Sequence, residues 1–260
     1  MDTNQPLILR REGGVAHLRF NRPQSLNAID SATAKALRAA SEELARDPTV
    51  RAVVLSGEGK GFMAGGDIGQ MKTDPRSIPT QLIDPLHAAL RRLAALDAPV
   101  IASVHGVVAG AGVSMMLAAD LAIAAEGTRF VLAYLNLGAS CDGGASFALP
   151  RVVGLRKALE IALLNETFDA AEALRLGLVN RVVPAATLEA ETDKLAQRLA
   201  AGPTRAIGRM RRLMRRSSSS DFGAQLDAEK EAFAASTTTR DFAEGVSAFL
   251  EKRAARFEGN

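Results

Sequence analysis

Short apolar runs alternate with amphipathic stretches along the first half of the chain. Residues 7–10 and 15–20 are apolar runs of strand length around a Gly-Gly pair, which predicts a β-hairpin. Asp30 and Ser31 then precede apolar residues at helical spacing, which predicts a helix that begins there. Further strands are predicted at 51–56, 99–104, 121–125 and 130–133, and further helices at 82–96 and 113–119. Strands that alternate with helices favour an α/β fold.

The pattern changes near residue 186, after which strand signals stop. The remainder predicts three or four helices, interrupted by Gly202-Pro203 and by a serine run at 217–220. We therefore predict an α/β core at 1–185 and a helical region at 186–260. Apolar residues at helical spacing in this region would form a face for self-association; they are Phe233, Phe242, Val246, Phe249 and Leu250.

Composition narrows the classes of protein that fit. With 260 residues, 47% hydrophobic and 23% charged, the chain is typical of a globular protein. A single cysteine, Cys141, excludes an internal disulfide and predicts a reducing, cytoplasmic location. Three scattered histidines predict no metal site, and no apolar run reaches the length of a membrane span. The net charge of +3 suits a ligand that carries phosphates, but too few Tyr and Trp side chains are present to favour nucleic-acid stacking.

Two glycine-rich loops, at 57–67 and 105–112, each follow an apolar strand and lead into a helix. Neither is a standard nucleotide motif. Gly61 follows Lys60 where a P-loop needs Ser or Thr, and Met115 stands where a dinucleotide fingerprint needs a third glycine. Backbone N–H groups at such turns are free, and two that converge would form an oxyanion hole. The alternative is that the glycines only permit tight turns and close packing; the recurrence of the pattern favours function.

Several segments, in order along nearly the whole chain, resemble those of the crotonase superfamily, the family of enoyl-CoA hydratases and isomerases. They are Asn21-Arg22-Pro23 with Asn27-Ala28, 62–68, 105–112, 149–154, 170–173, 176–179 and 249–253. The resemblance implies a spiral of ββα units with a helical C-terminal region that forms a homotrimer or a dimer of trimers. It also implies an acyl-CoA thioester as ligand and no separate cofactor, because coenzyme A is part of the substrate.

The resemblance also implies roles for individual residues. The oxyanion hole would be formed by the backbone N–H groups of Gly66 and Ala111, with Ala111 near a helix N-terminus that favours an anion. Coenzyme A contacts are implied for Arg22, Ala64, Gly65, Asp67, Ile68 and Lys252. From the residues alone, we predict that Asp67 caps the helix after the first glycine-rich loop. We also predict that Asp120 orders the beginning of a strand.

The sequence departs from the hydratase pattern at two positions. Family hydratases carry a glutamate at each of the positions that Ser114 and Tyr134 occupy here, and neither residue is acidic. These two positions therefore do not favour hydration by two carboxylates. On their own they leave open that the protein is a decarboxylase, a hydrolase or a non-catalytic member of the family.

One acid does lie at a plausible place, which is Asp142. Its segment resembles that of phenylacetate-pathway enoyl-CoA isomerases, in which an aspartate is the acid/base. A single carboxylate suffices to move a proton along a 3-enoyl thioester, so we favour an isomerase over a lyase. The alternative for Asp142 is a helix N-cap ahead of Gly143-Gly144.

Other functions stay open at this stage. In 4-chlorobenzoyl-CoA dehalogenases the position of Asp142 is a nucleophile, His87 falls on a water-activating histidine, and Tyr134 on a pocket aromatic. We predict that four residues line the substrate pocket, which are His87, Ser114, Tyr134 and Cys141. The alternative for His87 is a half-buried helix residue. A non-catalytic CoA-binding or RNA-binding assembly protein is the alternative of another class. The arginine-rich segment at 205–216 is interpreted as a solvated helix face.

Overall fold

The computed structural model describes residues 5–260, so the first four residues of the predicted core lie outside it. Within this range the chain forms nine strands and eleven α-helices. The strands are β1 (Leu7–Glu12), β2 (Val15–Phe20), β3 (Ala52–Gly57), β4 (Val100–Val104), β5 (Val107–Ala109), β6 (Leu121–Ala125), β7 (Arg129–Val131), β8 (Phe168–Asp169) and β9 (Arg181–Val183). The helices are α1 (Ser31–Leu44), α2 (Ile68–Thr73), α3 (Asp84–Ala95), α4 (Ala111–Ala118), α5 (Ala145–Val153), α6 (Leu155–Leu164), α7 (Ala170–Arg175), α8 (Leu188–Ala200), α9 (Thr204–Ser217), α10 (Phe222–Thr237) and α11 (Arg240–Leu250).

The larger sheet has six strands in the order β1-β2-β3-β4-β6-β9. β1 and β2 form the predicted antiparallel hairpin, and the strands from β2 to β9 in this order are parallel to one another. The central strands β3, β4 and β6 are mostly buried, and every residue of β4 is buried, as its continuous apolar run predicted.

The smaller sheet has the order β5-β7-β8, with β5 parallel to β7. An isolated parallel bridge joins Met63 to Val108, so the segment after β3 reaches the same layer. Three successive turns of the chain therefore place one strand (β3, β4, β6) in the larger sheet and a short extended segment in the smaller layer. Helices α2 and α4 follow directly in two of these turns, and the result is the predicted spiral of ββα units.

Three of the boundaries that differ from the predicted ones do so for a reason that the structure shows. The helix predicted from residue 82 begins as an α-helix at Asp84, after a π-helical turn at Pro79–Ile83. The helix predicted from 113 begins at Ala111, because Gly110 adopts φ 51° and ψ −119° and turns the chain there. The strand predicted at 130–133 ends at Val131, since Ala133 takes a left-handed φ of 60°.

The helical tail corrects the interpretation of the arginine-rich segment as a solvated face. Arg211 on α9 is 9% exposed, and its Nε lies 2.7 Å from Asp120 Oδ2. Arg215 Nη2 lies 2.8 Å from Asp120 Oδ1, and Asp120 Oδ2 also accepts a hydrogen bond from the N–H of Val100. Asp120 thus orders the beginning of β4, as predicted, and in addition anchors α9 to the core.

Candidate functional site

A cavity of about 570 Å³ lies between the two glycine-rich loops and the turn that precedes α5. Gly66 and Ala111, the residues implied for the oxyanion hole, both line it. Tyr134, Cys141 and Asp142 line it as well. The fold therefore brings together residues from three segments that the sequence singled out separately.

Backbone hydrogen bonds hold the two loops together. The N–H of Met63 donates to Val107 O at 3.1 Å, and the N–H of Ala109 donates to Met63 O at 2.9 Å. Gly112 packs against this contact so closely that a Cβ there would lie 2.3 Å from Met63 O. A Cβ on Gly110 would lie 3.4 Å from Gly65 Cα. Glycine is required at 112 because the backbones leave no room for a Cβ, and it is favoured at 110 because the φ of +51° is strained for other residues.

The N–H groups of Gly66 and Ala111 are available to a ligand. Within residues 5–260 neither group donates a hydrogen bond. Ala111 is the first residue of α4, so its N–H has no acceptor inside the helix and shares the positive end of the helix dipole. Gly66 is held on both sides by Ile29, whose N–H donates to Gly65 O at 2.7 Å and whose carbonyl accepts from the N–H of Asp67 at 2.8 Å.

Asp142 lies half-buried at the cavity and accepts a hydrogen bond from the Tyr134 hydroxyl on Oδ1. The Tyr134 oxygen lies 2.9 Å from Ser114 Oγ. Burial raises the pKa of Tyr134 above its usual range, and the charge of Asp142 raises it further. Tyr134 is therefore a hydrogen-bond donor in this site rather than a proton source at ordinary pH.

The alternative of a capping role for the Asp142 side chain is not realised. Gly144 is the N-cap of α5, and no side chain caps that helix end. The main-chain oxygen of Asp142 accepts from the N–H of Ala145 at 3.2 Å, while its carboxylate is directed to Tyr134. The carboxylate is thus held at the cavity rather than at the end of α5.

His87, on α3, contacts the same turn from outside the cavity. Its Nε2 accepts a hydrogen bond from the N–H of Gly143 at 3.1 Å, and its side chain is half-buried. Accepting this bond requires Nε2 to be unprotonated, so the ring proton is on Nδ1. Of the four predicted pocket residues, Tyr134 and Cys141 line the cavity and two do not. His87 lies behind the Gly143 turn, and Ser114 is 1% exposed beneath Tyr134.

The six residues implied for coenzyme A binding separate into two groups. Ala64, Gly65 and Ile68 line the cavity, next to Gly66. Arg22 lies between two carboxylates, with Nη2 at 2.9 Å from Asp67 Oδ2 and 3.3 Å from Asp30 Oδ2.

Arg22 does not line the cavity, and neither do the remaining two residues of the set, Asp67 and Lys252. Asp67 caps α2 by accepting from the N–H of Gln70, as predicted. Arg22 and Asp67 therefore hold the end of the first glycine-rich loop through their ion pair. Lys252 is exposed just beyond α11, with a left-handed φ of 55°.

Sequence reasoning missed the apolar wall of the cavity. Met71, Ile78 and Ile83 line it from α2 and the π-helical turn, and Leu137 lines it from the opposite side. The only available signal was apolar residues in a polar stretch around Pro75 and Pro79. Ala133 also lines the cavity. Its left-handed conformation is held by a 2.6 Å hydrogen bond from its N–H to Asn165 Oδ1, and no pattern in the neighbouring sequence predicts this contact.

Neither a metal centre nor a membrane-spanning helix is present in residues 5–260. No group of three or more His, Cys, Asp or Glu side chains in this range is arranged to hold a metal ion. Among the helices of this part of the chain, none combines the length and hydropathy needed to cross a membrane.

Comparison with known proteins shows the same family from sequence and from structure. The family model described as enoyl-CoA hydratase/isomerase matches residues 10–260. The chain is 36% identical over 252 residues to 1,2-epoxyphenylacetyl-CoA isomerase of Escherichia coli strain K12, covering 95% of this chain and 96% of that protein. It is 35% identical over 255 residues to 4-chlorobenzoyl coenzyme A dehalogenase-2 of an Arthrobacter species, covering 96% and 92%.

A solved structure agrees with this assignment. The crystal structure of enoyl-CoA hydratase from Mycobacterium smegmatis superposes with a TM-score of 0.91 at 36% identity, covering 97% of this chain and 98% of that one. The proteins to which the chain is similar thus include an isomerase, a hydratase and a dehalogenase. The chain belongs to the enoyl-CoA hydratase/isomerase family.

Proposed function

We propose that the protein is an enoyl-CoA isomerase that converts a 3-enoyl-CoA to a 2-enoyl-CoA, with Asp142 as the single proton carrier. One observation carries this proposal: Asp142 is the only carboxylate among the cavity-lining residues of the described chain, and it shares the cavity with Gly66 and Ala111. Ser114 and Tyr134 stand where the family's hydratases carry their two glutamates, so the acids that activate water are missing.

The reaction follows from this placement. The thioester oxygen accepts hydrogen bonds from the N–H groups of Gly66 and Ala111. Asp142 takes a proton from C2, and the electron pair of that C–H bond passes to the thioester oxygen as a dienolate. Preorganised donors stabilise this negative charge as it develops. Asp142 then returns the proton to C4, the double bond moves to C2–C3, and no atom is gained or lost.

The apolar lining suits an uncharged acyl group and requires no cofactor beyond the coenzyme A of the substrate. Within the described chain, no lysine, arginine or histidine lines the cavity. Coenzyme A would contact the backbone of Ala64, Gly65 and Ile68, which line the cavity next to Gly66. Arg22, Asp67 and Lys252 would contact coenzyme A outside the cavity. Arg22 and Asp67 would also support the first glycine-rich loop through their ion pair.

A dehalogenase-like reaction on an aryl-CoA is the second candidate, favoured by the contact of His87 with the Asp142 turn and by the Arthrobacter relative. In that reaction Asp142 would attack a ring carbon and expel halide, and a base would activate water to release the product. His87 Nε2 is already used by the Gly143 N–H, and His87 does not line the cavity. These two facts favour the isomerase.

We also propose that the protein assembles through its helical tail as a homotrimer or dimer of trimers. Phe249 and Leu250 at the end of α11 are 84% and 74% exposed, and Phe233 on α10 is 65% exposed. Large apolar side chains exposed to this degree on neighbouring helices favour an interface.

The variant Asp142→Asn tests the proposed chemistry. It keeps the size of the side chain and removes the base, so turnover of a 3-enoyl-CoA should fall by about 10²–10⁴-fold while affinity changes little. The matched control is Glu126→Gln, an exposed carboxylate in the turn after β6, which should keep wild-type turnover. Near-normal turnover by folded Asp142→Asn would overturn the isomerase assignment. A covalent aryl adduct on Asp142 after mixing wild type with 4-halobenzoyl-CoA would move the assignment to the dehalogenase reaction.

A further inference from the structure

Two consecutive hydrogen bonds among three side chains connect the proposed base to α4, the helix that carries the proposed oxyanion donor Ala111. The Tyr134 hydroxyl donates to Asp142 Oδ1, and Ser114 Oγ lies 2.9 Å from the Tyr134 oxygen. A phenol has one proton, and Tyr134 gives it to Asp142. Ser114 must therefore be the donor in its own contact with Tyr134, so the hydrogen bonds run in one direction, from Ser114 through Tyr134 to Asp142.

Ser114, the first donor in this series of hydrogen bonds, is held rigidly. It lies on α4 three residues after Ala111, so the two residues are one helical turn apart on the same side of the helix. Its side chain is 1% exposed. Gly143 adopts φ +59° and packs so closely on Ser114 that a Cβ at position 143 would lie 2.9 Å from Ser114 Cβ.

The turn that contains Asp142 is also fixed from the other side. His87 Nε2 accepts the Gly143 N–H at 3.1 Å, and the Asp142 carbonyl accepts the Ala145 N–H at 3.2 Å. The backbone at Asp142 is thus held by α3, α4 and α5, whereas its side chain could still rotate about χ1 and χ2. Within residues 5–260, the only hydrogen bond to the carboxylate comes from Tyr134, on Oδ1.

We propose that Tyr134, supported by Ser114, is a positioning residue that fixes the Asp142 carboxylate by Oδ1 and leaves Oδ2 as the oxygen that carries the proton. This inference rests on the proposed function, because it assigns the atom of Asp142 that works in it. The two hydroxyls at the hydratase acid positions thereby orient the single remaining acid relative to Ala111.

The raised pKa of Tyr134, caused first by burial and then by the Asp142 charge, agrees with this role. The phenol stays protonated over the working pH range and does not compete with Asp142 as a base. Hydrogen bonds to a charged group contribute more than neutral ones, so loss of this donor should be visible in the rate.

The experiment uses Tyr134→Phe, Ser114→Ala and the double variant, assayed with a 3-enoyl-CoA. Tyr134→Phe keeps the ring and should lower kcat by about 10–100-fold, with KM changed less than about twofold, because the thioester contacts remain. Ser114→Ala acts only through Tyr134, so it should lower kcat about 2–10-fold in the wild type and have no further effect beside Tyr134→Phe. A purely structural role would instead lower the thermal midpoint and act equally in both backgrounds.

The outcomes separate this inference from the proposed function. If Asp142→Asn is inactive while folded Tyr134→Phe keeps kcat within about twofold of wild type, the positioning role is wrong and the isomerase assignment stands. If Asp142→Asn itself stays active, the proposed function fails and Tyr134 has no base to position. If Tyr134→Phe does not fold, Ser114→Ala decides: an unchanged kcat, or a loss confined to KM, overturns the proposal.

Discussion

Gly112→Ala is the sharpest perturbation of the proposed oxyanion hole, because it adds one methyl group and leaves every polar atom in place. A Cβ at this position would lie 2.3 Å from Met63 O and 3.1 Å from Met63 C. Contacts below 3.0 Å do not occur for real Cβ atoms, so α4 and the first loop must separate by about 0.7 Å. Met63 begins the segment that carries Gly66, and Gly112 follows Ala111 directly, so this separation falls on the two N–H donors.

The expected magnitude follows from that displacement. A misplacement of about 1 Å at a reacting centre costs about 10²-fold, and loss of one oxyanion donor costs about 10²–10³-fold in kcat. We therefore expect Gly112→Ala to lower kcat for a 3-enoyl-CoA by about 10²-fold. Overpacking should also cost about 1–3 kcal/mol in the free energy of unfolding, which leaves a folded protein at assay temperature.

The assay is chromatographic separation of the 3-enoyl and 2-enoyl thioesters, with the thermal midpoint measured on the same preparation. Gly223→Ala on α10 is the matched control, since a Cβ there would meet only an ordinary 3.4 Å contact with Asp221 Oδ1. It should keep wild-type turnover and gain about 0.5–1 kcal/mol from helix propensity. A folded Gly112→Ala protein with kcat within about twofold of wild type would refute the reasoning.

Three further results are expected. Gly66→Pro removes the proposed N–H donor and distorts the loop, so both turnover and acyl-CoA binding should be lost, and substantial activity in the folded variant would refute the assignment of Gly66. Hydrogen bonds from Arg22 and from backbone N–H groups lower the pKa of Asp67, so this carboxylate stabilises the fold above its unfolded pKa near 4 and loses that contribution as pH falls. Arg22→Met should therefore unfold at lower temperature than wild type at pH 7, with a difference that shrinks below about pH 4; a pH-independent difference would exclude the Asp67 ion pair as its cause. In light scattering the wild type should be a trimer or hexamer at micromolar concentration, and Phe249→Asp with Leu250→Asp should dissociate it; a monomeric wild type would contradict the tail interface.

Features that depend on neighbouring residues in the sequence were predictable. The hairpin around Gly13-Gly14 and the helix capped by Asp30 follow from turn chemistry and apolar spacing, and both are confirmed. The cap at Asp67 is confirmed for the same reason. Local signals sufficed because the partners in each case are at most a few residues apart.

Features that depend on contacts between distant segments were not predictable. Arg211 looked like one member of a solvated face, yet it is buried against Asp120, ninety-one positions earlier in the chain. The left-handed Ala133 depends on Asn165, thirty-two residues away. The sequence singled out Ser114, Tyr134 and Asp142 one by one, but their hydrogen-bonded order appears only when α4 and the turn before α5 pack together.

The most direct test of the central claim is product analysis of the wild-type protein with three thioesters: a 2-enoyl-CoA, a 3-enoyl-CoA and 4-halobenzoyl-CoA. A cavity whose described lining has Asp142 as its single carboxylate, with the two proposed oxyanion donors, should interconvert the 3-enoyl and 2-enoyl thioesters. It should form no 3-hydroxyacyl-CoA and release no halide. Rapid formation of 3-hydroxyacyl-CoA from the 2-enoyl substrate, or halide release from the aryl substrate without any isomerisation, would contradict the account.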